Sequence, residues 1–463
     1  MTTKAKGIQR IKMSMPDRIF LSSDTEVVHT HISGVPLLRI SGSASAFVED
    51  LIAWAHATTT VTAPFSYRVP GRRPRGRWEV IDVSAVDFSQ HVVRATLPSP
   101  GSMRDLECAV ARIHSRPLDR TKPLWEFHII DGLSDGRIAL CLKIHHALMD
   151  AATLVKFMAR TFSSDPNDLD AQLIWSQPQR SSSGKPGRRR LGFARTLGVM
   201  RELAWSVWRI FVEAWRRTDP AIAIPLRCAY SRLLNGQLSG DRGWAALEFD
   251  SARLWELARR ADATLNELIL AALSTVLREY HSEKGELLHR SLTAGVPVSN
   301  RGPDVDPRHD ASGLILVNLF TDLADPAERL GNIVRSSRLA KEHLASLSQE
   351  AADVHTLLAM APTLLQSVTG LSGRVRPSFN VTVSNVAGPS SPQYLLGGAL
   401  DGLFAAAPIF PGQLLNLTVV STCGRIGVAF TTCAEAIGDT NRLTELFEDA
   451  IAELESVMRV TAA

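Results

Sequence analysis

Two adjacent histidines, His145 and His146, follow the apolar run Ile138–Ile144, and Asp150 stands four residues after His146. Neighbouring side chains of a strand point to opposite faces, so we expect one histidine of the pair to face a given cavity. Imidazole both takes and returns a proton near neutral pH, and a nearby carboxylate can fix its tautomer or brace the backbone around it. The pattern therefore favours a histidine general base over two histidines that only pack at a strand end.

Length and composition indicate the class of protein. The 463 residues exceed one ordinary core, so two domains of roughly 200 residues are expected. Hydrophobic residues make up 45% and charged residues 21%, which is typical of a globular chain, and a net charge of +4 gives no argument for nucleic acid as a partner. The five cysteines are scattered without a CxxC pair, which favours a reducing cytosol over a disulfide framework or a zinc site.

No stretch offers about twenty uncharged apolar residues, the length needed to span a membrane. The N-terminus has no apolar run before Asp17 and Arg18, so we expect no signal peptide. Any contact with a membrane is then expected to be peripheral.

The histidine pair is positioned by a predicted hairpin. Strands are expected at Trp125–Ile130 and Arg137–Ile144, and the turn between them contains Ser134-Asp135-Gly136. The motif stands where the second strand ends, and a helix is expected directly after it at Ala151–Phe162. Around this hairpin, the sequence predicts a strand at Val35–Ile40, a helix at Ser45–Ala55, a loop at Tyr67–Trp78, a strand at Val92–Leu97 and a helix at Ser102–Ser115.

A polar and basic segment, Ser163–Arg190, is typical of a linker. The next segment, Leu191–Arg217, predicts a basic, Trp-rich amphipathic helix, which either lies at a membrane interface or packs on the protein's own surface. We therefore expect an N-terminal lobe at 1–165, the linker and this helix at 166–240, and a C-terminal lobe at 241–463.

The C-terminal lobe also mixes strands and helices. A capping box from Thr264 to Glu267 begins one helix at Leu265–Tyr280. The other predicted helices are Ser251–Ala261, Ala327–Ala345, Ala351–Ala361 and one that Asp439 caps, and the predicted strands are Trp244–Phe249, Ser291–Val298, Gly313–Leu319, Phe379–Val383, Leu414–Val420 and Arg425–Thr431. Both halves thus predict α/β sandwiches with mixed sheets, and a ligand site between them is expected.

The motifs of several other chemistries are absent from the sequence. It contains no GxSxG, no GxxxxGK[ST], no GxGxxG after a strand and no HExxH. No Cys/His cluster offers a metal site. A histidine base without a protein nucleophile suits direct attack, in which it removes the proton of a substrate hydroxyl as that oxygen attacks an activated carbonyl.

Several stretches together resemble the bacterial wax ester synthase/acyl-CoA:diacylglycerol acyltransferase family. They occur in the family's order at Pro117–Arg120, Pro123–Glu126, His145–Asp150, Leu265–Leu273, Asn380–Pro389 and Pro411–Val419. The HHxxxD pattern alone is shared with chloramphenicol acetyltransferase-like enzymes, including peptide condensation domains. The resemblance implies a mixed α/β fold of two chloramphenicol acetyltransferase-like lobes, each a mixed sheet with flanking helices, and an active-site channel between them.

The resemblance also implies an acyl-CoA-dependent O-acyltransferase that makes triacylglycerol from diacylglycerol, or wax ester from a long-chain alcohol. His146 matches the family's catalytic base, His145 its supporting partner, and Asp150 a residue that holds the shape of the motif. Acyl-CoA is a co-substrate, and no cofactor or metal is implied. The implied partners are acyl-CoA, the lipid alcohol or diacylglycerol, and a membrane surface or lipid droplet, which places the protein in the cytoplasm, on the inner face of the plasma membrane or on lipid inclusions.

Residues outside the motif are candidates for oxyanion stabilisation. Asn266 matches an asparagine of a family Asn-Asp pair, and Ser384 and Asn385 are further possible donors. Each has a structural alternative, since Asn266 fits a solvated first-turn residue and Asn385 fits a turn.

Gly388 and Pro389 fit the same turn, although both match the family's stretch. Trp125 also has two readings, a substrate contact or core packing. Glu126 fits an ion pair with a nearby arginine.

The chain departs from the family's pattern at two positions. Ala151 stands where the family has glycine, and its methyl group excludes a left-handed backbone or narrows the pocket. Glu267 replaces the aspartate of the Asn-Asp pair. We expect both to affect rate and substrate range more than reaction type.

Three other functions are compatible with these residues. The acceptor of an HHxxxD acyltransferase can be a non-lipid hydroxyl or amine. His145 and Asp150 also have the HxxxxD spacing of glycerolipid acyltransferases. A catalytically weak lipid-binding relative is the third alternative, for which Ala151 is the sequence hint.

Overall fold

The computed structural model describes residues 9–71, 76–168, 172–177, 201, 219–225, 227–286, 288–298, 313–369 and 377–461. The chain divides into two compact units. The first comprises Met1–Ser182, Val386–Pro408 and Val420–Cys423, and the second comprises Ser183–Asn385, Ile409–Val419 and Gly424–Ala463. The expected lobe boundaries of 1–165, 166–240 and 241–463 stay a prediction.

Strands and helices are mixed along both units. The strands are β1 (Gln9–Lys12), β2 (His31–Arg39), β3 (Tyr67–Arg68), β4 (Arg77–Val80), β5 (Val92–Thr96), β6 (Trp125–Asp131), β7 (Arg137–His145), β8 (Arg242–Asp250), β9 (Thr293–Val298), β10 (Gly313–Asn318), β11 (Val381–Ala387), β12 (Tyr394–Leu395), β13 (Gly398–Ala406), β14 (Leu415–Thr422) and β15 (Arg425–Cys433). The helices are α1 (Met15–Ser23), α2 (Ala44–His56), α3 (Phe88–His91), α4 (Met103–Ser115), α5 (Ala151–Thr161), α6 (Arg232–Asn235), α7 (Ser251–Arg260), α8 (Leu265–Glu283), α9 (Pro326–Ala345), α10 (Gln349–Thr369) and α11 (Thr440–Thr461).

The main sheet of the first unit has six strands in the order β12-β13-β2-β7-β6-β5. The predicted hairpin of β6 and β7 is confirmed, with Trp125 opposite Ile144 and Glu126 opposite Lys143. The pairing of β5 with β6 is parallel while the other pairs are antiparallel, so the sheet is mixed. Because β7 lies between β2 and β6, every residue after Arg137 in it is buried.

The N-terminal segment contains a helix, α1, that was not among the predicted elements. Ser14 and Asp17 form a capping box at the start of α1, and Pro16 lies in the first turn. The loop expected at Tyr67–Trp78 is wrong at both ends, because β3 and β4 pair with each other and β4 also pairs with β1.

The sheet of the second unit runs in the order β10-β9-β11-β14-β15-β8. It is also mixed, because β11 pairs parallel to β9 while β10 pairs antiparallel to it. The capping box predicted at Thr264 and Glu267 is present at the start of α8. The strand predicted at Phe379–Val383 instead begins at Val381 and continues to Ala387.

The predicted amphipathic helix at Leu191–Arg217 lies outside the described residues, apart from Arg201. Among the helices that the structure describes, none combines the length and apolar character needed to cross a membrane.

Candidate active site

Strand β7 ends at His145, and the chain turns at once through His146, Ala147 and Leu148. The turn is closed by a hydrogen bond from Leu148 N–H to the carbonyl of His145 at 2.9 Å. His145 is buried, with 1% of its surface exposed, whereas His146 is half-buried. The two imidazoles therefore have different access to a substrate, and His146 is the more accessible.

The ring of His145 is held by hydrogen bonds at both nitrogens. Nδ1 lies 3.0 Å from the backbone N–H of Ala147, which donates to it. Nε2 lies 2.9 Å from Oδ2 of Asp24 and 3.2 Å from Oγ1 of Thr30. A ring held in this way is suited to supporting its surroundings rather than to exchanging protons with a substrate.

Asp24 is an ionised partner for this ring. Burial raises the pKa of its carboxyl, but the hydrogen bonds that the carboxylate accepts from His145 and Thr30 outweigh burial and lower the pKa to about 2. The guanidinium of Arg120 adds a positive charge 3.3 Å from Oδ2.

His146 is fixed through its backbone and through its ring face. Its N–H donates to the carbonyl of Thr30 at 2.8 Å. Its ring stacks on Phe20 of α1, with centroids 4.2 Å apart and planes 28° apart. An imidazole that is oriented on one face and partly accessible has the properties of a general base.

Asp150 serves the backbone of the following helix. It is the N-cap of α5, and its carboxylate accepts a hydrogen bond from Thr153 N–H at 2.8 Å. This position at the N-cap fits the expected role of Asp150, which is to hold the shape of the motif.

Ala151 is the first residue of α5, so its backbone is helical. The described non-glycine residues with a positive φ angle are Asp262, Phe320 and Leu396. The expectation that the methyl group of Ala151 excludes a required left-handed backbone is therefore wrong. The other predicted effect of the Ala151 methyl group, a narrower pocket, stays a prediction.

Trp125 belongs to an aromatic cluster in the core of the first unit. It is 1% exposed, stacks on Trp175 with centroids 5.0 Å apart and on His91 at 4.3 Å, and donates its indole N–H to Phe65 O at 2.9 Å. These contacts favour core packing over a substrate contact.

Among the residues that the structure describes, the partners of Glu126 are a histidine and a lysine of the hairpin rather than an arginine. Its Oε2 lies 3.0 Å from His128 Nε2 and 3.6 Å from Lys143 Nζ. Burial raises the pKa of Glu126, but these two groups outweigh burial and lower it.

Asn266 lies in the first turn of α8, in the second unit. Its side-chain oxygen Oδ1 is buried and makes no hydrogen bond within the part of the chain that the structure describes. The reading of Asn266 as a solvated residue is therefore wrong for this atom. An amide oxygen accepts hydrogen bonds, so only Nδ2 could donate to an oxyanion.

Ser384 and Asn385 lie within β11 rather than in a turn, and both belong to the second unit. Ser384 is half-buried and Asn385 is exposed. Gly388 and Pro389 follow this strand and belong to the first unit. A Cβ atom on Gly388 would lie 2.5 Å from the carbonyl oxygen of Ser421, so this position accepts only glycine without a backbone shift.

The residues that hold the histidine pair from the N-terminal side were not among the predicted site residues. Phe20, Asp24 and Thr30 are separated from the motif by more than 100 residues, and no local pattern links them to it. Arg120 lies in the Pro117–Arg120 stretch and contacts Asp24, so this stretch was the available signal.

The chain is similar to known proteins over nearly its whole length. Residues 13–269 match the model of the wax ester synthase/diacylglycerol acyltransferase catalytic domain, and residues 311–455 match the model of the WS/DGAT C-terminal domain. A Mycobacterium tuberculosis protein named diacylglycerol O-acyltransferase tgs2 is 32% identical over 97% of this chain and 100% of its own. The O-acyltransferase WSD of Acinetobacter baylyi is 29% identical, covering 95% of this chain and 98% of its own.

Two solved structures show the same fold. The wax ester synthase/diacylglycerol acyltransferase from Marinobacter aquaeolei VT8 has a TM-score of 0.75 and 27% identity, covering 97% of this chain and 100% of its own. The first condensation domain of the calcium-dependent antibiotic synthetase has a TM-score of 0.56 at 14% identity, covering 97% and 96%, which shows the fold alone. The predicted mixed α/β fold with a sheet in each lobe is confirmed. The chain belongs to the wax ester synthase/diacylglycerol acyltransferase family, a family of acyltransferases.

Proposed function

We propose that the protein transfers a fatty acyl group from acyl-CoA to the hydroxyl of diacylglycerol or of a long-chain alcohol. The observation that carries this proposal is the different surroundings of the two histidines. His145 is buried and hydrogen-bonded at both ring nitrogens, whereas His146 is partly accessible. The relatives named diacylglycerol O-acyltransferase and O-acyltransferase WSD support the substrate classes.

In the proposed reaction His146 is the general base. Its imidazole takes the proton of the acceptor hydroxyl as that oxygen attacks the thioester carbonyl. The tetrahedral intermediate then collapses, the carbon–sulfur bond breaks, and protonated His146 returns its proton to the departing thiolate of CoA. The products are an ester and free CoA, and the proposed reaction consumes only the acyl-CoA and the acceptor hydroxyl.

The negative charge on the carbonyl oxygen of the intermediate needs hydrogen-bond donors. Nδ2 of Asn266 and the side chains of Ser384 and Asn385 are proposed for this role. Asp150 is proposed to maintain the geometry of the motif rather than to transfer a proton, since its carboxylate caps α5.

The decisive experiment measures ester formation with palmitoyl-CoA and three acceptors: a diacylglycerol, hexadecanol and a polar alcohol or amine. For His146→Ala we expect turnover to fall by about 10²–10⁴-fold, the usual contribution of a general base. His56→Ala removes an exposed histidine at the end of α2 and should keep the wild-type rate.

A folded His146→Ala protein that forms ester at the wild-type rate would contradict the assignment of the base. Preference for the polar acceptor would instead contradict the lipid substrate class. Mass spectrometry of the ester is the suitable readout, because the exposed Cys108 and Cys423 would react with thiol reagents that detect CoA.

A further inference from the structure

The carboxylate of Asp24 is engaged at both of its oxygens. Oδ1 accepts the backbone N–H of Thr30 at 2.8 Å and the Thr30 hydroxyl at 2.5 Å. Oδ2 faces His145 and Arg120. The side chain of Asp24 is only 19% exposed, and it connects the end of α1 with the end of β7.

These contacts determine which nitrogen of His145 carries the proton. Nδ1 accepts the N–H of Ala147, so Nδ1 itself carries no hydrogen. The hydrogen of the neutral ring must then be on Nε2, which donates it to Asp24. The carboxylate therefore selects the tautomer that binds the backbone of Ala147.

Two chains of hydrogen bonds connect Asp24 to the backbone on either side of the His146 side chain. One passes through His145 to the N–H of Ala147, the residue after His146. The other passes through Thr30, whose carbonyl accepts the N–H of His146 itself. The stacking partner Phe20 lies on α1, the helix that Asp24 terminates.

We propose that Asp24 is a positioning residue for the acyl transfer, which fixes the tautomer of His145 and through it the backbone that carries His146. This inference rests on the proposed function and names a residue that supports the base without touching the reacting atoms.

Asn in place of Asp24 isolates this role because the two side chains have the same shape. If the amide oxygen stays with Thr30, the amide N–H groups face Nε2 of His145, which must then accept a hydrogen bond. The proton of His145 moves to Nδ1, where it opposes the N–H of Ala147. The hydrogen bond beside His146 is lost while the fold is retained.

For Asp24→Asn we expect kcat to fall by roughly 10–100-fold, the range seen when a supporting hydrogen bond is removed or a reacting group is displaced. KM for palmitoyl-CoA should change by less than about threefold, because substrate binding is not altered. Nitrogen NMR of protein labelled at histidine should show the proton of His145 on Nε2 in the wild type and on Nδ1 in Asp24→Asn.

The matched control is Asp131→Asn. Asp131 is also a buried carboxylate of the first unit, paired with Arg94 at 2.6 Å, but it lies at the opposite end of the β6–β7 hairpin from His145. We expect this variant to lose stability and to keep the wild-type kcat.

A double-mutant cycle tests whether Asp24 acts through His145. In a His145→Ala background, adding Asp24→Asn should lower kcat by less than about threefold, because the residue that transmits the effect is already absent. Equal losses in both backgrounds would overturn the proposal.

Two further results would also overturn it: wild-type kcat in Asp24→Asn, or an unchanged His145 signal in the NMR spectrum. The NMR measurement needs no substrate. If the wild type made no ester while the tautomer moved as expected, the proposed function would fail and the positioning of His145 by Asp24 would stand.

Discussion

His145 and His146 are identical side chains one residue apart, and the end of β7 gives them different environments. His145 faces Asp24 and Thr30 in the interior, whereas His146 stacks on Phe20 and stays partly accessible. The pair divides in this way because β7 ends at His145, whereas His146 lies in the turn that follows. In the proposed reaction only the ring of His146 acts as a base, and the ring of His145 holds the backbone of Ala147 beside it.

Asp150 gives a prediction that separates capping from catalysis. Asp150→Ala removes the acceptor of the Thr153 N–H and should lower the free energy of unfolding by about 1 kcal/mol, the usual effect of losing an N-cap. Asp150→Asn keeps a good cap and should retain both stability and most of the turnover. Urea unfolding and ester formation, measured on both variants, check this, and an inactive but stable Asp150→Asn would assign Asp150 a role in chemistry.

The low pKa of Asp24 predicts a dependence of stability on pH. Its carboxyl has a pKa of about 2 when folded and 3.8 as the reference value, so the unfolded chain binds this proton first. The corresponding stability, about 2 kcal/mol, is fully present above pH 5 and is lost as the pH falls from 4 towards 2.

Asp24→Asn has no such group to titrate. The difference in unfolding free energy between wild type and this variant should therefore narrow by about 1.6 kcal/mol between pH 6 and pH 2.5. Asp262→Asn, in which the replaced side chain is 95% exposed, is the control. A difference that stays constant over this pH range would show that the carboxylate of Asp24 is not stabilised in the folded state.

Among single residues, the sequence alone could predict only those site residues that belong to one local pattern. His145, His146 and Asp150 stand within six positions, so their spacing can be read directly. Asp24 is 121 positions from His145, and its carboxylate reaches the ring only because β2 and β7 pair and the segment before β2 crosses the strand end. Such a long-range contact has no periodicity in the sequence.

Among the elements, β7 and α4 are joined by a buried lysine. Lys143 has no exposed side-chain surface, and its ammonium group donates to the carbonyls of Ile113 and Arg116 at the C-terminal end of α4. Burial lowers the pKa of Lys143, and Glu126 at 3.6 Å opposes this effect. A cation at this end of a helix satisfies carbonyls that have no partner in the helix.

Lys143→Met should therefore destabilise the first unit by about 3 kcal/mol, because it leaves buried carbonyls without a donor and removes one cation from Glu126. Lys122→Met is the control, since the Lys122 side chain is 38% exposed and contacts Asp119 and Gln90 near the surface. A urea titration followed by tryptophan fluorescence measures both. A loss below about 0.5 kcal/mol for Lys143→Met would contradict the proposed link between β7 and α4.

The elements that could be predicted from the sequence have strong local patterns, such as apolar runs and turn residues, and the elements that were not predicted have weak ones. The β6–β7 hairpin has two apolar runs and a Ser-Asp-Gly turn, and the structure contains it. Helix α1 was missed although Ser14, Pro16 and Asp17 are start signals, because the apolar stretch that follows is short. Strand β13 was missed because Gly398 and Gly402 lower its strand propensity, and its partner β2 is distant in sequence.

For the whole molecule, the basic and Trp-rich segment Leu191–Arg217 has two interpretations, a helix at a lipid surface and a helix packed on the protein's own surface, and vesicle binding distinguishes them. Replacing Trp205 and Trp208 with serine should lower the bound fraction on phosphatidylglycerol vesicles by about fivefold, because indoles anchor amphipathic helices at the interface. Flotation of vesicles through a density gradient measures the bound fraction.

The matched control is Trp255→Ser, since Trp255 is a 53% exposed tryptophan of α7. It should leave vesicle binding unchanged. Binding by the Trp205 and Trp208 variant at the wild-type level would favour a helix that packs on the protein's own surface.

The first unit completes its sheet with a strand from late in the chain. Strand β13 pairs with β2, yet Gly398 follows Arg39 by 359 positions (398 minus 39). A ribosome that adds about 5–20 residues per second leaves the edge of β2 without this partner for roughly 20 to 70 seconds. An open strand edge pairs readily with other chains. During synthesis, the unit that carries His146 therefore has an open edge at β2, and its sheet becomes complete only after β13 has left the ribosome.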